Sequence, residues 1–84
     1  MDMIVLKMEQ SAASIDPNDL LIFARVAELG SFSRAAERLG LPKSTVSRRL
    51  AALEQRVGER LLLRTTRRQT LTEFGLQMLE HARQ

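Results

Sequence analysis

The chain has 84 residues, 44% hydrophobic and 27% charged, with a formal net charge of +3, enough for one small domain and not for two. With no cysteine, a single histidine (His81) and three aromatics (Phe23, Phe32, Phe74), it excludes a disulfide framework, a zinc finger and a cysteine nucleophile, and it argues against binding modes built on rows of stacked aromatics. No apolar run nears the roughly 20 residues of a membrane helix and the start MDMIVLKMEQ makes a poor signal peptide, so a soluble intracellular domain with no membrane partner is expected.

Residues 1–15 show no sustained period and read as a loose extension or a short accessory helix, with an apolar patch at Met3, Ile4, Val5 and Leu6. At Asp16-Pro17-Asn18-Asp19 the pattern changes. Asp16 suits an N-cap, Pro17 the first helical position, and Asp19 places negative charge in the first turn. Leu20, Phe23, Ala24 and Ala27, flanked by Leu21 and Val26, repeat at helical spacing up to Gly30, predicting a first helix of about twelve residues. Ser31 caps a second, shorter helix, Phe32 to Leu39, which packs through Ala35, Ala36 and Leu39; the alanines allow another helix to cross closely. Gly40 ends it, Leu41 offers an apolar plug, and Pro42 starts the next helix after a break at Gly40-Leu41. Two helices joined by so short a bend with Gly in it match a helix-turn-helix.

In the third helix, Val46, Leu50, Leu53 and Val57 are spaced four, three and four apart and form one buried stripe before Gly58. Across from it stand Ser44, Arg48 and Gln55, with Ser47 and Ala51 on one flank. Apart from one Arg, the N-terminal part of that exposed side is short hydroxyl and methyl groups, which let a helix backbone come close to a surface such as the major groove. An ordinary solvated face is the other reading. Next, Leu61-Leu62-Leu63-Arg64 and Gln69-Thr70-Leu71-Thr72 flank Thr65-Thr66-Arg67-Arg68, predicting a β-hairpin with a basic tip. Thr72 caps a fourth helix through Glu73, Phe74, Met78, Leu79 and Ala82 that meets no stop signal. Its apolar residues are expected to have little domain left to cover, so that they pair with a second copy or continue into further sequence.

The small net charge hides an asymmetry. From Arg34 to Arg68, ten basic residues face three acids, +7 over 35 residues, while the other 49 residues carry −4. A basic segment of this kind suits a polyanion, most often nucleic acid, although arginines that merely solvate helices give the same count. His81 reads as solvent-facing and Glu54 and Glu59 do not form an acid/base pair. Without a Gly-rich phosphate loop or a nucleophile beside a base, no catalytic residue, metal ligand or cofactor site is assigned, and an enzyme is not expected.

Helix, helix-turn-helix, hairpin and a further helix together make a mainly α, winged helix-turn-helix fold followed by a linker helix. The stretch from Leu20 to Gly75, LLIFARVAELGSFSRAAERLGLPKSTVSRRLAALEQRVGERLLLRTTRRQTLTEFG, about two thirds of the chain, closely resembles the DNA-binding domain of LysR-type transcriptional regulators. GSFSRAAERL, TVSRRLAALEQRVGERLL and RTTRRQTLTEFG match in register without a gap. The resemblance divides the chain into an extension (1–15), a winged helix-turn-helix (16–72) and the start of a linker helix (73–84). It implies that the third helix enters the major groove of double-stranded DNA and the hairpin tip the adjacent minor groove. Lys43, Ser44, Thr45, Ser47 and Arg48 then fall where family members touch bases or nearby phosphates. Arg67, with Arg68 beside it, falls at the wing arginine; Ser33 and Arg34 are placed for phosphates, and Arg64 for a contact from the wing base. These assignments suit the chemistry: Arg48 can hold guanine O6 and N7, Ser47 can bond to almost any base edge, and an arginine in a narrow A·T-rich groove reads shape.

At one place the chain departs from the family pattern. Where many members carry Ser-Gln-Pro, it has Pro42-Lys43-Ser44. Gln pairs well with adenine, whereas Lys favours guanine or a phosphate, so the base preference shifts and the helix loses a Ser cap. By the same resemblance the protein acts in the bacterial cytoplasm, at the nucleoid, as a homodimer through Phe74, Met78, Leu79 and Ala82. Full-length relatives often assemble as tetramers on interrupted palindromes, and a small-molecule effector would act through a C-terminal domain outside this sequence. Two other readings are compatible with the residues: a protein-interaction domain with an incidental basic face, and another winged-helix class in which the wing carries the specificity.

Overall fold

A computed structural model describes residues 15–64 and 69–82, without the side chains of Arg64 and Ala82. The extension expected over 1–15 therefore lies outside the described residues except for Ile15, as does the hairpin tip, 65–68. The order is α1 (Pro17–Leu29), α2 (Phe32–Leu39), α3 (Lys43–Val57), β1 (Leu62–Arg64), β2 (Gln69–Leu71) and α4 (Glu73–Ala82).

Each helix begins and ends for reasons visible in the chain. The Asp16 carboxylate accepts the Asn18 N–H at 2.8 Å, and the Ser31 hydroxyl accepts the Arg34 N–H at 3.2 Å, each occupying one amide that a first turn leaves unpaired. α3 begins at Lys43, one residue later than expected, because Pro42 adopts extended backbone (ψ 143°) and acts as the cap, with no side chain bonded there. At the bend between α2 and α3, Gly40 has a φ of 69°, a left-handed conformation open to glycine at little steric expense. The Leu41 N–H then returns to the Ala36 carbonyl at 3.0 Å and Leu41 packs on the core, the role expected of it.

Two features of the helix pattern differ from expectation. On α1 the buried stripe is Asp19, Ile22, Phe23 and Val26, while Leu20, Ala24 and Ala27 are half-buried and Leu21 is exposed. The stripe is rotated by about one residue because α1 packs on α2, α3 and β2 together, and these define which side is dry. The second difference concerns α4. Met78 and Leu79 are buried in the chain's own core, with Phe74 half-buried against it. The expectation that this apolar face is left for a second copy is therefore corrected for Met78 and Leu79. The short hairpin leaves a side of the core open and α4 closes it.

The strands are antiparallel, pairing Leu62 with Leu71, Leu63 with Thr70 and Arg64 with Gln69. Strand alternation sends Leu62 into the core and leaves Leu63 exposed. The hairpin is tied to the helices by the Gln69 N–H, which donates to the Gly30 carbonyl at 3.2 Å. Phe23, Val26, Ala35, Val46, Leu50, Leu53, Leu61, Leu62 and Met78 are fully buried, and Leu71 of β2 packs against them half-buried, so every described element contributes to one core. Full burial of one of the larger aliphatic side chains contributes about 1.5–3 kcal/mol, so this core, and not any surface ion pair, sets the stability.

Candidate nucleic-acid interface

α3 carries the arrangement on which the function turns. Val46, Leu50, Leu53 and Val57 are buried as the spacing required, and at about 100° per residue the exposed stripe Ser44, Arg48, Ala51 and Gln55 falls across from them. Lys43 is exposed on the first turn, while Thr45 and Ser47 are half-buried at the edges of the stripe. Five of the expected residues, Lys43, Ser44, Thr45, Ser47 and Arg48, thus share the first two turns of one helix. Their short hydroxyl groups leave the backbone approachable, with two long cations on either side of them.

Ser33 and Arg34 are exposed on the first turn of α2, which packs across α3. The Arg34 amide is taken up by Ser31, so the remaining first-turn amides of α2 and the Arg34 side chain are what an anion could meet there. Arg38, one turn further on, is also exposed. The Arg64 backbone lies at the end of β1, and its side chain is outside the described residues, as are Arg67 and Arg68.

One member of the basic segment is turned elsewhere. Arg49 flanks the buried stripe on the side facing α1, where its Nη2 donates to Asp16 Oδ2 at 3.1 Å. Its Nε lies 2.7 Å from Asp19 Oδ1, a close charge contact off the hydrogen-bonding direction, and that oxygen is buried with no hydrogen bond of its own. The charge count of the sequence included Arg49 with the polyanion-facing cations; the fold spends it on two acids from outside that segment.

On the opposite flank of the stripe, Glu54 is 8% exposed and its Oε2 accepts the N–H groups of Leu61 at 2.8 Å and Leu62 at 3.3 Å. A buried carboxylate holding two backbone amides fixes where the hairpin leaves α3. Leu61 is bonded on its other side as well, its carbonyl accepting the Thr72 N–H at 3.0 Å. The Thr72 hydroxyl donates to the Arg60 carbonyl at 2.7 Å and accepts the Gly75 N–H at 2.9 Å, which is the cap expected for α4. A Cβ on Gly75 would stand 2.1 Å from the Leu61 oxygen, so only glycine permits this approach. Sequence reading assigned no role to Glu54, Arg49 or Gly75. The available signal was position: at helical spacing both charged residues border the apolar stripe of α3 instead of lying across from it.

His81, expected to face solvent, is half-buried on α4. Among the described residues no three His, Cys, Asp or Glu side chains gather as a metal site, and no helix is long and apolar enough to cross a membrane.

The family model described as the bacterial regulatory helix-turn-helix protein, lysR family, matches residues 17–76, from the first turn of α1 into α4. The chain belongs to this LysR family. It is similar to an HTH-type transcriptional regulator of Xanthomonas campestris pv. campestris (strain 8004), 61% identical over 66 residues, 79% of this chain and 19% of the relative. It is also similar to the HTH-type transcriptional activator AllS of Klebsiella pneumoniae, 47% identical over 72 residues, 86% of this chain and 27% of the relative. The LysR-family chain therefore spans roughly a fifth to a quarter of the length of these relatives, which are transcriptional regulators and not enzymes. Among solved structures it resembles the DNA-binding domain of CbnR in complex with DNA, with a TM-score of 0.80, 38% identity and coverage of 82% of this chain and 79% of that one. The BenM DNA-binding domain on its benA site 1 DNA gives a TM-score of 0.78 at 31% identity, covering 81% and 76%. The winged helix-turn-helix expected from the sequence is thus the LysR-family fold.

Proposed function

We propose that this LysR-type domain binds duplex DNA sequence-specifically, with α3 in the major groove and the hairpin tip in the adjacent minor groove. The observation that carries the reading is the exposed side of α3, where short hydroxyl and methyl groups between Lys43 and Arg48 lie across from a fully buried apolar stripe. A helix whose outer face is shortened in this way, on a fold also found in crystals with DNA, matches what groove entry requires. Arg48 and Ser47 read base edges, and Lys43, Ser44 and Thr45 contact bases or phosphates. Ser33, Arg34 and Arg64 hold the backbone, and Arg67 with Arg68 reads the narrow groove by its potential.

The domain acts as a dimer on an interrupted palindrome. Because Met78 and Leu79 serve the chain's own core, the second copy docks along the outer face of α4, which carries the exposed Leu76. A two-fold axis there would set the half-site spacing.

Selection from a random duplex pool, followed by titration of the recovered site against salt, tests the reading. Interrupted palindromes are expected, with a log–log salt slope of about −4 to −5 for about five neutralised phosphates. Arg48→Ala should relax preference at one base pair by about 10-fold or more, and Arg67→Ala should weaken A·T-flanked sites while leaving that preference intact. A flat salt response with no duplex shift defeats the proposal and favours a protein-interaction domain, and exchanged effects of Arg48→Ala and Arg67→Ala assign specificity to the wing.

A further inference from the structure

Arg48 and Arg49 are neighbours on α3 with opposite fates. Arg48 is exposed on the outer stripe, whereas the Arg49 guanidinium lies about one residue's rotation away, engaged with Asp16 at 3.1 Å and Asp19 at 2.7 Å. Both acids belong to the start of α1, where the unpaired amides of the first turn also favour negative charge. Asp16 is already the N-cap, with its Oδ1 on the Asn18 N–H and its Oδ2 on Arg49. Asp19 is 5% exposed, so its carboxylate is held away from water beside the guanidinium.

The apolar stripe of α3, fully buried and interdigitated with the core, seats the helix, and a directional contact at its edge narrows the rotation that packing leaves. A guanidinium caught between two carboxylates of another helix has a direction. Such a contact, to two acids on one neighbouring helix, constrains the rotation of α3 about its axis as well as its position along that axis. Base readout by Arg48 and Ser47 requires placement to within about 0.5 Å and 10–20°. We infer that Arg49 is a positioning residue, which sets the rotation of the recognition helix through Asp16 and Asp19 and makes no DNA contact itself. The inference rests on the DNA-binding reading above and deepens it: α1, distant in sequence from the readout residues, becomes a determinant of specificity.

The test compares wild type, Arg49→Ala, Asp16→Asn and Arg48→Ala on the pool-selected duplex and on a scrambled one, at several salt concentrations. Thermal melts fix a temperature at which every variant is native. Asp16→Asn is the variant that protects the test against misfolding, since Asn caps a helix as well as Asp while the amide NH2 left facing Arg49 cannot accept its hydrogen bond. The expected result is a fall in the selected-to-scrambled affinity ratio of about 10-fold for Arg49→Ala and about 3-fold for Asp16→Asn, with the salt slope within about 0.3 of wild type. Asp16→Asn is the sharper arm, because removing an acid raises the net charge and by long-range electrostatics alone should tighten both duplexes. Equal tightening on both duplexes overturns the inference. So does a salt slope reduced by about 0.9 for Arg49→Ala with the ratio preserved, which marks a direct phosphate contact. An unchanged ratio in both variants overturns it as well. A wild-type chain that binds both duplexes equally defeats the DNA reading before any variant is compared, and this inference with it.

Discussion

The two flanks of α3 are held by opposite kinds of chemistry. On one, a guanidinium with about a third of its side chain exposed reaches two acids of α1, one of them 42% exposed. On the other, a buried carboxylate takes two backbone amides of Leu61 and Leu62, and the Leu61 carbonyl is pressed against the Gly75 backbone. The first joint is made between side chains, a guanidinium and two carboxylates, at the edge of the packing between α1 and α3. The second is made of backbone groups with fully buried Leu61 and Leu62 around them, and it has no room to adjust. The difference teaches that the hairpin is fixed to α3 as a rigid unit, while α1 is coupled to α3 by an ion pair whose Asp16 arm water and salt can reach and whose Asp19 arm is buried. A change at the tight joint should therefore act on stability, and one at the open joint on recognition.

The contrast can be broken most severely at Gly75. Gly75→Ala places a methyl group 2.1 Å from the Leu61 oxygen, so α4 or the start of β1 must move. Overpacking of this kind, against backbone and not a flexible side chain, should remove about 3 kcal/mol or more. In a domain of this size that lowers Tm by at least about 12 °C, measured by circular dichroism. A melt within 2 °C of wild type would mean that the joint is looser than its geometry.

A smaller effect is expected from Glu54→Gln. The amide keeps one acceptor for the two N–H groups but loses the charge that strengthens both bonds, and it brings a donor into a donor-rich site. Loss of about 1–2 kcal/mol is expected, with faster hydrogen exchange at the Leu61 and Leu62 amides. Unchanged exchange at these two amides would separate Glu54 from the hairpin.

The smallest effect on stability belongs to the open joint. Asp16→Asn retains the cap and weakens an ion pair whose partners are both substantially exposed, so unfolding free energy should change by no more than about 0.5 kcal/mol. Urea titration checks this, and the same variant carries the recognition test above. A loss of more than about 2 kcal/mol would make the two flanks alike and erase the comparison.

Much of this architecture was legible in the chain. Asp16, Ser31 and Thr72 announce three helix starts, Gly30, Gly40 and Gly58 three ends, and the spacing of Val46, Leu50, Leu53 and Val57 marks the buried side of α3, because caps and periodicity act over a few residues. The rotation of α1 toward Ile22 was not legible, since it depends on three elements packing against that helix at once. For the same reason the destination of Met78 and Leu79 stayed hidden: an apolar stripe states that it must be covered and not by what.

The sequence by itself determined the order of elements, the outward face of α3 with Ser44, Arg48 and Gln55, and the family resemblance, all properties of local spacing and residue type. Only the tertiary structure decided which charges remain for a polyanion. It withdrew Arg49 to Asp16 and Asp19, buried Glu54 on the amides of Leu61 and Leu62, and brought Gly75 against a carbonyl 14 positions earlier in the chain. A charge has the same formal value anywhere in a sequence. Its use depends on what lies within a few ångströms of it, and for residues far apart in the chain only folding sets that distance.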